Sequence, residues 1–271
     1  GMESPELAAF PDAINIRNAF RASQGMLLMA ADYSQIELRI LAHLSGDEGL
    51  INLLRLSAAG GGDIFRLIAS SMLKIQGEVM PDQRNRAKRV CYAIIYGQGI
   101  PSLAKGLGLP LEEAEKLRED FFLQFPGIQT FVTKAKEEAR NKGYAQTHFF
   151  GRRRAIRGMQ DENVKVREAA LRKAVNTPIQ GSAADLVKLA MCRWEDWLRK
   201  TRPPPPLQAP RLLAMVHDEL LIEFDARADV PQLAEALQSI MCDCAPSLSV
   251  PLLVNVEVGS TWGAMRKVGP V

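Results

Sequence analysis

The stretch Arg211–Phe224, which reads RLLAMVHDELLIEF, constrains the fold of this chain more than any other. Two apolar runs in it flank the polar residues His217, Asp218 and Glu219, and so tight a junction predicts a β-hairpin. Carboxylates held together at the tip of an apolar hairpin repel each other, so they need a cation, a proton or solvent nearby. For an isolated Asp-Glu pair a solvated turn is the simpler interpretation, and the rest of the chain must decide between the two.

The composition excludes several classes of protein. The 271 residues are 47% hydrophobic and 24% charged, which is typical of a globular protein with a large core. The net charge of +3 is too small to indicate a nucleic-acid partner, so that argument depends on local clusters of charge. No apolar run approaches membrane-spanning length. The cysteines are too scattered for a disulfide framework or a zinc site: Cys91, Cys192, Cys242 and Cys244.

A second candidate acid lies at the end of a buried strand. The continuous apolar run Met26–Ala31 predicts that strand, and Asp32 follows it at once. Apolar residues then recur at helical spacing over Ser34–Leu44. Asp32 therefore either caps this helix near its positive end or serves as a ligand-binding acid.

One predicted helix carries a regular stripe of cations and aromatic rings. The helix begins at Pro81 and ends at Gly97. Positions four apart lie on one face of a helix, because four residues turn it by about 400°. Cations followed by aromatic rings suit a triphosphate at one end and a sugar and base at the other, although a basic solvated face with core tyrosines is the alternative. The stripe consists of Arg84, Lys88, Tyr92 and Tyr96.

Basic residues are dense beyond the middle of the chain. Gly151–Arg154 reads GRRR, and the basic character continues through Arg157 to Lys173. Such a cluster in a chain of small net charge suggests the backbone of a polyanion as the partner. An ordinary basic surface is an equally good interpretation of the cluster by itself.

A long helix is predicted over Val164–Arg199, with an interruption near Thr177-Pro178. Within it Arg172, Asn176 and Gln180 recur at every fourth residue. Hydrogen-bond donors on one helix face can reach the minor-groove acceptors and sugars of a duplex without reading its sequence. They could equally be polar surface residues.

The remaining segments predict scaffold. We expect a helix that Asp63 caps and that ends at Met72. The other expected elements are helices over Leu111–Lys142 broken at Pro126, a short strand within Tyr144–Phe150, a stiff connector at Arg202–Pro206, a helix over Pro231–Cys244 and a strand over Leu252–Val258.

These stretches together resemble the motifs of the family A DNA polymerases, the bacterial polymerase I group. They follow the family's order from about Ala19 to Gly263. Ala31–Ser45 resembles motif A, Arg84–Gly97 motif B and Val216–Glu223 motif C; GRRR, Asn176–Met191 and the terminal GSTWG match as well. Three segments are most similar to the eukaryotic theta/nu branch, which implies a nuclear protein: QGSAADLVKLA, CYAIIYG and HDELL.

The resemblance implies an α+β fold, the polymerase right hand, with an antiparallel palm sheet and helical fingers. Residues 1–45 would form the first palm segment, and 46–163 the fingers with the motif B helix at 82–97. Residues 164–271 would form the second palm segment with the motif C hairpin at 211–224. The thumb and any exonuclease domain would precede residue 1, and a theta-like protein would also have a helicase domain.

The activity that the resemblance implies is template-directed DNA synthesis by a monomer, with primer–template DNA and deoxynucleoside triphosphates as partners and a role in DNA repair. Asp32, Asp218 and the backbone carbonyl of Tyr33 would hold two Mg²⁺ ions, with Mn²⁺ as a substitute. Glu219 would support the site or the primer end. Lys88 would complete the catalytic set by neutralising charge that develops on the phosphates.

The motif B stripe would bind the incoming nucleotide. Arg84 and Lys88 would hold its triphosphate, Tyr92 would lie against the sugar, and Tyr96 would pack near the templating base. Glu37, held by Tyr96, would be the steric gate that leaves no space for a ribose 2′-hydroxyl. The full nucleotide-binding set would be Gln35, Glu37, Arg84, Lys88, Tyr92 and Tyr96. The DNA-binding set would be Arg152, Arg153, Arg172, Asn176, Gln180 and His217.

Two features of the sequence bear on these expectations. Phe65 stands where polymerase I has a histidine, so one phosphate contact is lost. Tyrosine at Tyr92 goes in this family with weak rejection of dideoxynucleotides. The alternatives are a catalytically incompetent DNA-binding fragment, because the thumb is missing, and a single-subunit RNA polymerase, against which Glu37 and the HDE triplet argue.

Overall fold

The computed structural model describes residues 15–201 and 206–268. Most of the predicted connector at Arg202–Pro206 therefore lies outside the described residues. Within the described ranges, no helix is long and apolar enough to cross a membrane. The strands are β1 (Met26–Tyr33), β2 (Tyr144–Gln146), β3 (Arg153–Ala155), β4 (Arg211–Val216), β5 (Glu219–Asp225), β6 (Val254–Gly259) and β7 (Arg266–Lys267).

A short 3₁₀ helix, Ile16–Ala19, precedes β1, and the α-helices lie between β1 and β2, between β3 and β4 and between β5 and β6. They are α1 (Ile36–Ser45), α2 (Glu48–Ala58), α3 (Ile64–Met72), α4 (Pro81–Ile95), α5 (Ile100–Leu107), α6 (Leu111–Gln124), α7 (Pro126–Lys142), α8 (Val164–Lys200) and α9 (Val230–Cys242).

The chain divides into two compact units. The first unit contains the described residues of 1–34, 187–244 and 254–271, and the second contains 35–186 and 245–253. The divisions predicted from the sequence lie after residues 45 and 163 instead, and the assignment of palm and fingers stays a prediction.

The first unit is built on a five-stranded sheet in the order β4-β5-β1-β6-β7, in which every neighbouring pair is antiparallel. β5 is buried along its whole length, and β1 is almost as buried. This explains why both strands are nearly continuous apolar runs in the sequence. The predicted hairpin and the predicted strand before Asp32 are confirmed.

The hairpin contains one irregularity. The pairing of β4 with β5 shifts register between Leu212 and Ala214, so Leu213 is an extra residue on β4. An extra residue on one strand of an antiparallel pair is a β-bulge. Beyond the bulge, Val216 pairs with Glu219, which leaves His217 and Asp218 as the two residues of the turn.

The second unit is helical apart from the short antiparallel ribbon of β2 and β3. Asp63 caps α3 as predicted, since its Oδ1 accepts the N–H of Arg66 at 3.0 Å. The break at Pro126 is also confirmed, because α7 begins there. Only Tyr144–Gln146 of the predicted strand region pairs, and its partner strand contains two arginines of GRRR.

The predicted interruption near Thr177-Pro178 is wrong, because α8 is continuous with Pro178 inside it. Proline within a helix removes one backbone hydrogen bond and costs about 3 kcal/mol. Side-chain hydroxyls bond to the backbone around it: Thr177 Oγ1 donates to the Lys173 carbonyl at 2.7 Å, and Ser182 Oγ donates to the Pro178 carbonyl. The flanking residues Val175 and Ile179 are fully buried, and this packing outweighs the local penalty.

Candidate active site

The first unit brings two distant acids together at one end of its sheet. Antiparallel pairing of β1 with β5 places Asp32 opposite Glu219. Asp218 lies in the turn immediately before Glu219, and its carbonyl oxygen accepts the N–H of Tyr33 at 3.3 Å. Two rigid strands therefore hold Asp32 and Asp218 on neighbouring backbones, as the sequence analysis expects.

The electrostatics of this pair favour a bound cation. Burial, together with the negative charges of Asp218 and Glu219, raises the pKa of Asp32 to about 6. Burial likewise raises the pKa of Asp218. A positive ion between these carboxylates would relieve both the desolvation and the repulsion.

The donor set fits Mg²⁺ held jointly with a ligand. Within 15–201 and 206–268, no three His, Cys, Asp or Glu side chains converge closely enough to hold a metal ion. The Tyr33 hydroxyl is buried and donates to the Met241 carbonyl at 2.8 Å, so it adds no side-chain oxygen to the acid pair. Mg²⁺ prefers one or two carboxylates completed by water and substrate phosphates, which is what Asp32 and Asp218 can offer.

Glu219 is held by two residues that the sequence analysis missed. Its Oε1 accepts the indole N–H of Trp262 at 2.6 Å, and Arg17 Nη1 lies 3.5 Å from Oε2. The Arg17 guanidinium also lies over the Trp262 ring, 4.4 Å from the ring centroid. Arg17 lowers the pKa of Asp32, opposing the effect of burial. The GSTWG motif was the sequence signal for Trp262, whereas nothing distinguished Arg17 from other exposed arginines.

Two predicted site residues have unusual backbone conformations. His217 at the hairpin tip and Gln35 before α1 have φ angles of 56° and 51°, in the left-handed region. Residues other than glycine are uncommon there, and they occur more often at functional sites. Gln35 is the N-cap residue of α1, and its carbonyl accepts the N–H groups of Leu38 and Arg39 at 3.1 Å each.

The second unit contains the motif B stripe on α4. Tyr92 and Tyr96 stack with ring centroids 5.8 Å apart and planes inclined by 22°. An open cavity of about 440 Å³ runs beside them and is also lined by the exposed Lys88. Its size suits one small ligand. Its other lining residues are Asn85, Arg89, Ala93, Gln98 and Leu103, none of which the sequence analysis singled out.

Arg84, at the start of the stripe, is held by Asp63, the residue that caps α3 in the same unit. Its Nε and Nη2 donate to the two carboxylate oxygens of Asp63 at 2.9 and 2.8 Å. Phe65 is buried beside it, with Arg84 Cζ 5.6 Å and Lys88 Nζ 5.7 Å from its ring centroid. From the sequence, only a capping role was predicted for Asp63.

A glycine lies where the motif B stripe meets the predicted DNA-binding residues of α8. Gly97, just after α4, has φ of 60°, and a Cβ there would lie 3.1 Å from the Arg172 Cα on α8. The end of the α4 stripe therefore lies directly against the first residue of the α8 stripe. Arg172, Asn176 and Gln180 are all partly exposed, as expected of one helix face.

Arg152 and Arg153 have different surroundings. Arg152 Nε donates to Asp185 Oδ1 at 2.5 Å, and its Nη2 donates to the Gly181 carbonyl at 3.2 Å. Arg153 lies over the Tyr144 ring, 4.6 Å from the centroid, and is exposed. Arg152 thus ties the GRRR segment to α8, whereas Arg153 keeps its charge available to solvent.

The chain is similar to known DNA polymerases over nearly its whole length. The family described as DNA polymerase family A matches residues 2–264. DNA polymerase I of Thermus aquaticus is 42% identical over 249 residues, which are 91% of this chain and 28% of that protein. DNA polymerase I of Pseudomonas aeruginosa is 39% identical over 91% of this chain and 26% of the relative. DNA polymerase theta of Mus musculus is 35% identical over 94% of this chain and 11% of its own.

A solved structure agrees with the sequence matches. The polymerase domain of Pol1 from M. smegmatis, in complex with DNA primer-template and dNTP, superposes with a TM-score of 0.82 and 37% identity. The match covers 95% of this chain and 44% of that one. This confirms the expected fold class, an antiparallel sheet combined with helices as in a polymerase domain. The chain spans about a quarter of the length of the bacterial relatives it matches.

Proposed function

The chain belongs to DNA polymerase family A, and from that premise we propose that it is the catalytic core of a DNA-directed DNA polymerase. Its substrates are a primer–template duplex and deoxynucleoside triphosphates. The reaction forms a bond from the primer 3′-oxygen to the α-phosphorus and releases pyrophosphate.

The observation that carries this proposal is the meeting of Asp32 and Asp218 at one end of the sheet. These two carboxylates would hold two Mg²⁺ ions together with the backbone carbonyl of Tyr33. When bound, the ions supply Lewis-acid stabilisation to the attacking and leaving oxygens of the displacement. Glu219 stays outside this pair, because Trp262 and Arg17 occupy its oxygens.

The α4 stripe would bind the nucleotide. Arg84 and Lys88 neutralise the triphosphate. Their electrostatic interaction with it strengthens as negative charge develops on the leaving group. The stacked rings of Tyr92 and Tyr96 give the sugar and base a flat apolar wall beside the cavity. Glu37, in the first turn of α1, would exclude a ribose 2′-hydroxyl.

The α8 stripe would bind the duplex. Side chains of Arg172, Asn176 and Gln180 can donate to minor-groove acceptors, which differ little between base pairs, so binding is independent of sequence. Arg153 and His217 would add contacts to the DNA. Monomeric state, a role in repair and nuclear localisation stay predictions.

Primer extension by the full-length natural protein tests the proposal. We expect Mg²⁺-dependent extension with deoxynucleotides and a loss of about 10³-fold or more in rate for Asp32→Asn and for Asp218→Asn, since a metal supplies several kcal/mol of transition-state stabilisation. Asp229→Asn is the matched control, because asparagine caps α9 as well as the native Asp229 does. Full activity of Asp218→Asn would refute the metal assignment.

Two further outcomes separate the alternative functions. Equal use of ribonucleotides and deoxynucleotides would contradict the gate assignment of Glu37 and favour an RNA polymerase. Binding of primer–template without any extension would leave a DNA-binding protein that lacks catalysis.

A further inference from the structure

We propose that Asp63 is a positioning residue for the incoming nucleotide and that it acts through Arg84. The inference rests on the proposed function, because it assumes that Arg84 binds the triphosphate. It adds a residue on another helix to the nucleotide site and gives that residue a role distinct from capping.

The contact between the two side chains fixes the guanidinium plane. Asp63 Oδ1 accepts Arg84 Nε at 2.9 Å and Oδ2 accepts Nη2 at 2.8 Å, so two parallel hydrogen bonds join the groups. Such a bidentate pair restricts orientation as well as distance. An exposed ion pair with a single contact would do neither, and most such pairs contribute little.

Asp63 is itself immobilised. Its Oδ1 also accepts the backbone N–H of Arg66 at 3.0 Å as the cap of α3. Burial alone would raise the pKa of Asp63, but the hydrogen bonds from Arg84 and Arg66 hold it below its usual value. The carboxylate therefore stays ionised and joins Arg84 to the end of a helix rather than to a flexible loop.

The contact leaves part of Arg84 available for a ligand. A guanidinium has five N–H donors, and Asp63 uses two of them. Among the residues that the structure describes, none accepts a hydrogen bond from the other three. Phosphate oxygens can therefore bind one edge of Arg84 while Asp63 holds the other edge.

The start of α3 also supports the second cation of the stripe. The buried ring of Phe65 lies within 6 Å of Arg84 and Lys88, at 5.6 and 5.7 Å respectively. Asp63 and Phe65 thus orient two long side chains that would otherwise lose rotamer freedom when a triphosphate binds. The carboxylate cancels one positive charge, so its contribution is orientation and not attraction.

The test is steady-state kinetics of Asp63→Ser in the full-length natural protein. Serine keeps the helix cap, but it has only one side-chain oxygen and cannot form the bidentate contact with the guanidinium. We expect KM for the deoxynucleotide to rise about two- to twelvefold, the range that corresponds to ordering one flexible side chain on binding. kcat should change less than KM. Asp229→Ser, at the cap of α9, is the control and should leave both constants unchanged.

A double-mutant comparison separates positioning from a general structural effect. If Asp63 acts through Arg84, then Arg84→Ala and Arg84→Ala/Asp63→Ser should have the same KM. An additive effect of the two substitutions would overturn the inference. So would an unchanged KM in Asp63→Ser, or a lowered KM, which would mean that Asp63 competes with the triphosphate.

Equilibrium binding keeps this inference distinct from the proposed function. A deoxynucleotide can be titrated into the protein bound to a primer that ends in a dideoxynucleotide, so no chemistry occurs. Loss of affinity in Asp63→Ser, absent in the Arg84→Ala background, supports the inference whether or not primers are extended. Equal affinity in wild type and Asp63→Ser overturns it.

Discussion

Replacement of Arg152 by alanine should destabilise the protein and not merely weaken the proposed binding to DNA. Asp185, its partner, has a side chain that is only 1% exposed. Oδ1 of Asp185 accepts Arg152 Nε at 2.5 Å, and no hydrogen bond to Oδ2 exists among the residues that the structure describes. The truncation would therefore leave a buried carboxylate without its main partner.

The size of the effect follows from the burial of the two groups. Removing one partner of a buried ion pair costs about 3–5 kcal/mol. Half of the Arg152 side chain is exposed, at 50%, so water can enter where the guanidinium was and solvate part of the charge. We therefore expect the free energy of unfolding to fall by about 2–3 kcal/mol.

The assay is urea unfolding, extrapolated to zero denaturant, for proteins of equal length. Arg153→Ala is the matched control, because this neighbouring arginine is exposed and packs on a single ring. It should cost about 0.5–1 kcal/mol. The double variant Arg152→Ala/Asp185→Asn removes the unpaired charge and should recover part of the loss.

The opposite pattern would refute the reasoning. If Arg152→Ala unfolds at the same urea concentration as Arg153→Ala, then Asp185 does not depend on the ion pair. Arg152 would then be free for the DNA-binding role that the sequence predicts. Arg153→Ala should instead weaken DNA binding and reduce its salt dependence by about one counterion.

Three other substitutions test the sheet and the junction of the stripes. Gly97→Ala should lower the free energy of unfolding by about 1–2 kcal/mol, because a left-handed φ and a close approach to Arg172 disfavour a Cβ; equal stability in urea would contradict this. Trp262→Phe should lower it by about 1.5 kcal/mol through loss of the hydrogen bond to Glu219, and thermal unfolding at one fixed pH would detect the change. Hydrogen bonds from Arg227 hold the pKa of Asp225 below its usual value. The contribution of Asp225 to the stability of the fold is therefore present above about pH 4 and is lost as pH falls below that. Asp225→Asn should therefore flatten the decline in stability between pH 5 and pH 3, and an unaltered pH dependence would contradict the assignment.

Local patterns predicted the elements that carry the site. The apolar runs around His217 and before Asp32 are long and uninterrupted, so strands and turn could be placed from periodicity alone. The four-residue spacing on α4 also predicted a shared face, and Tyr92 and Tyr96 do stack. The resemblance to the polymerase family then related Asp32 to Asp218, which spacing could not do.

Contacts between distant side chains could not be predicted in this way. The indole of Trp262 and the carboxylate of Glu219 are 43 residues apart, and Asp63 and Arg84 are 21 apart. Nothing local distinguishes such a pair, because the contact exists only after the elements have packed. The predicted interruption at Pro178 was wrong for a related reason. Burial of the flanking residues Val175 and Ile179 outweighed the strong local signal of the proline.

The bulge at Leu213 has a consequence for how insertions and deletions would be tolerated. At the base of the hairpin Arg211 pairs with Glu223, and their side chains form an ion pair; at the tip Val216 pairs with Glu219. The extra residue allows both of these pairings to form, although β4 has one more residue between them than β5 has. Deletion of Leu213 would force a choice between the ion pair and the position of Asp218. In this exposed edge strand, the number of residues is therefore part of the geometry of the candidate site.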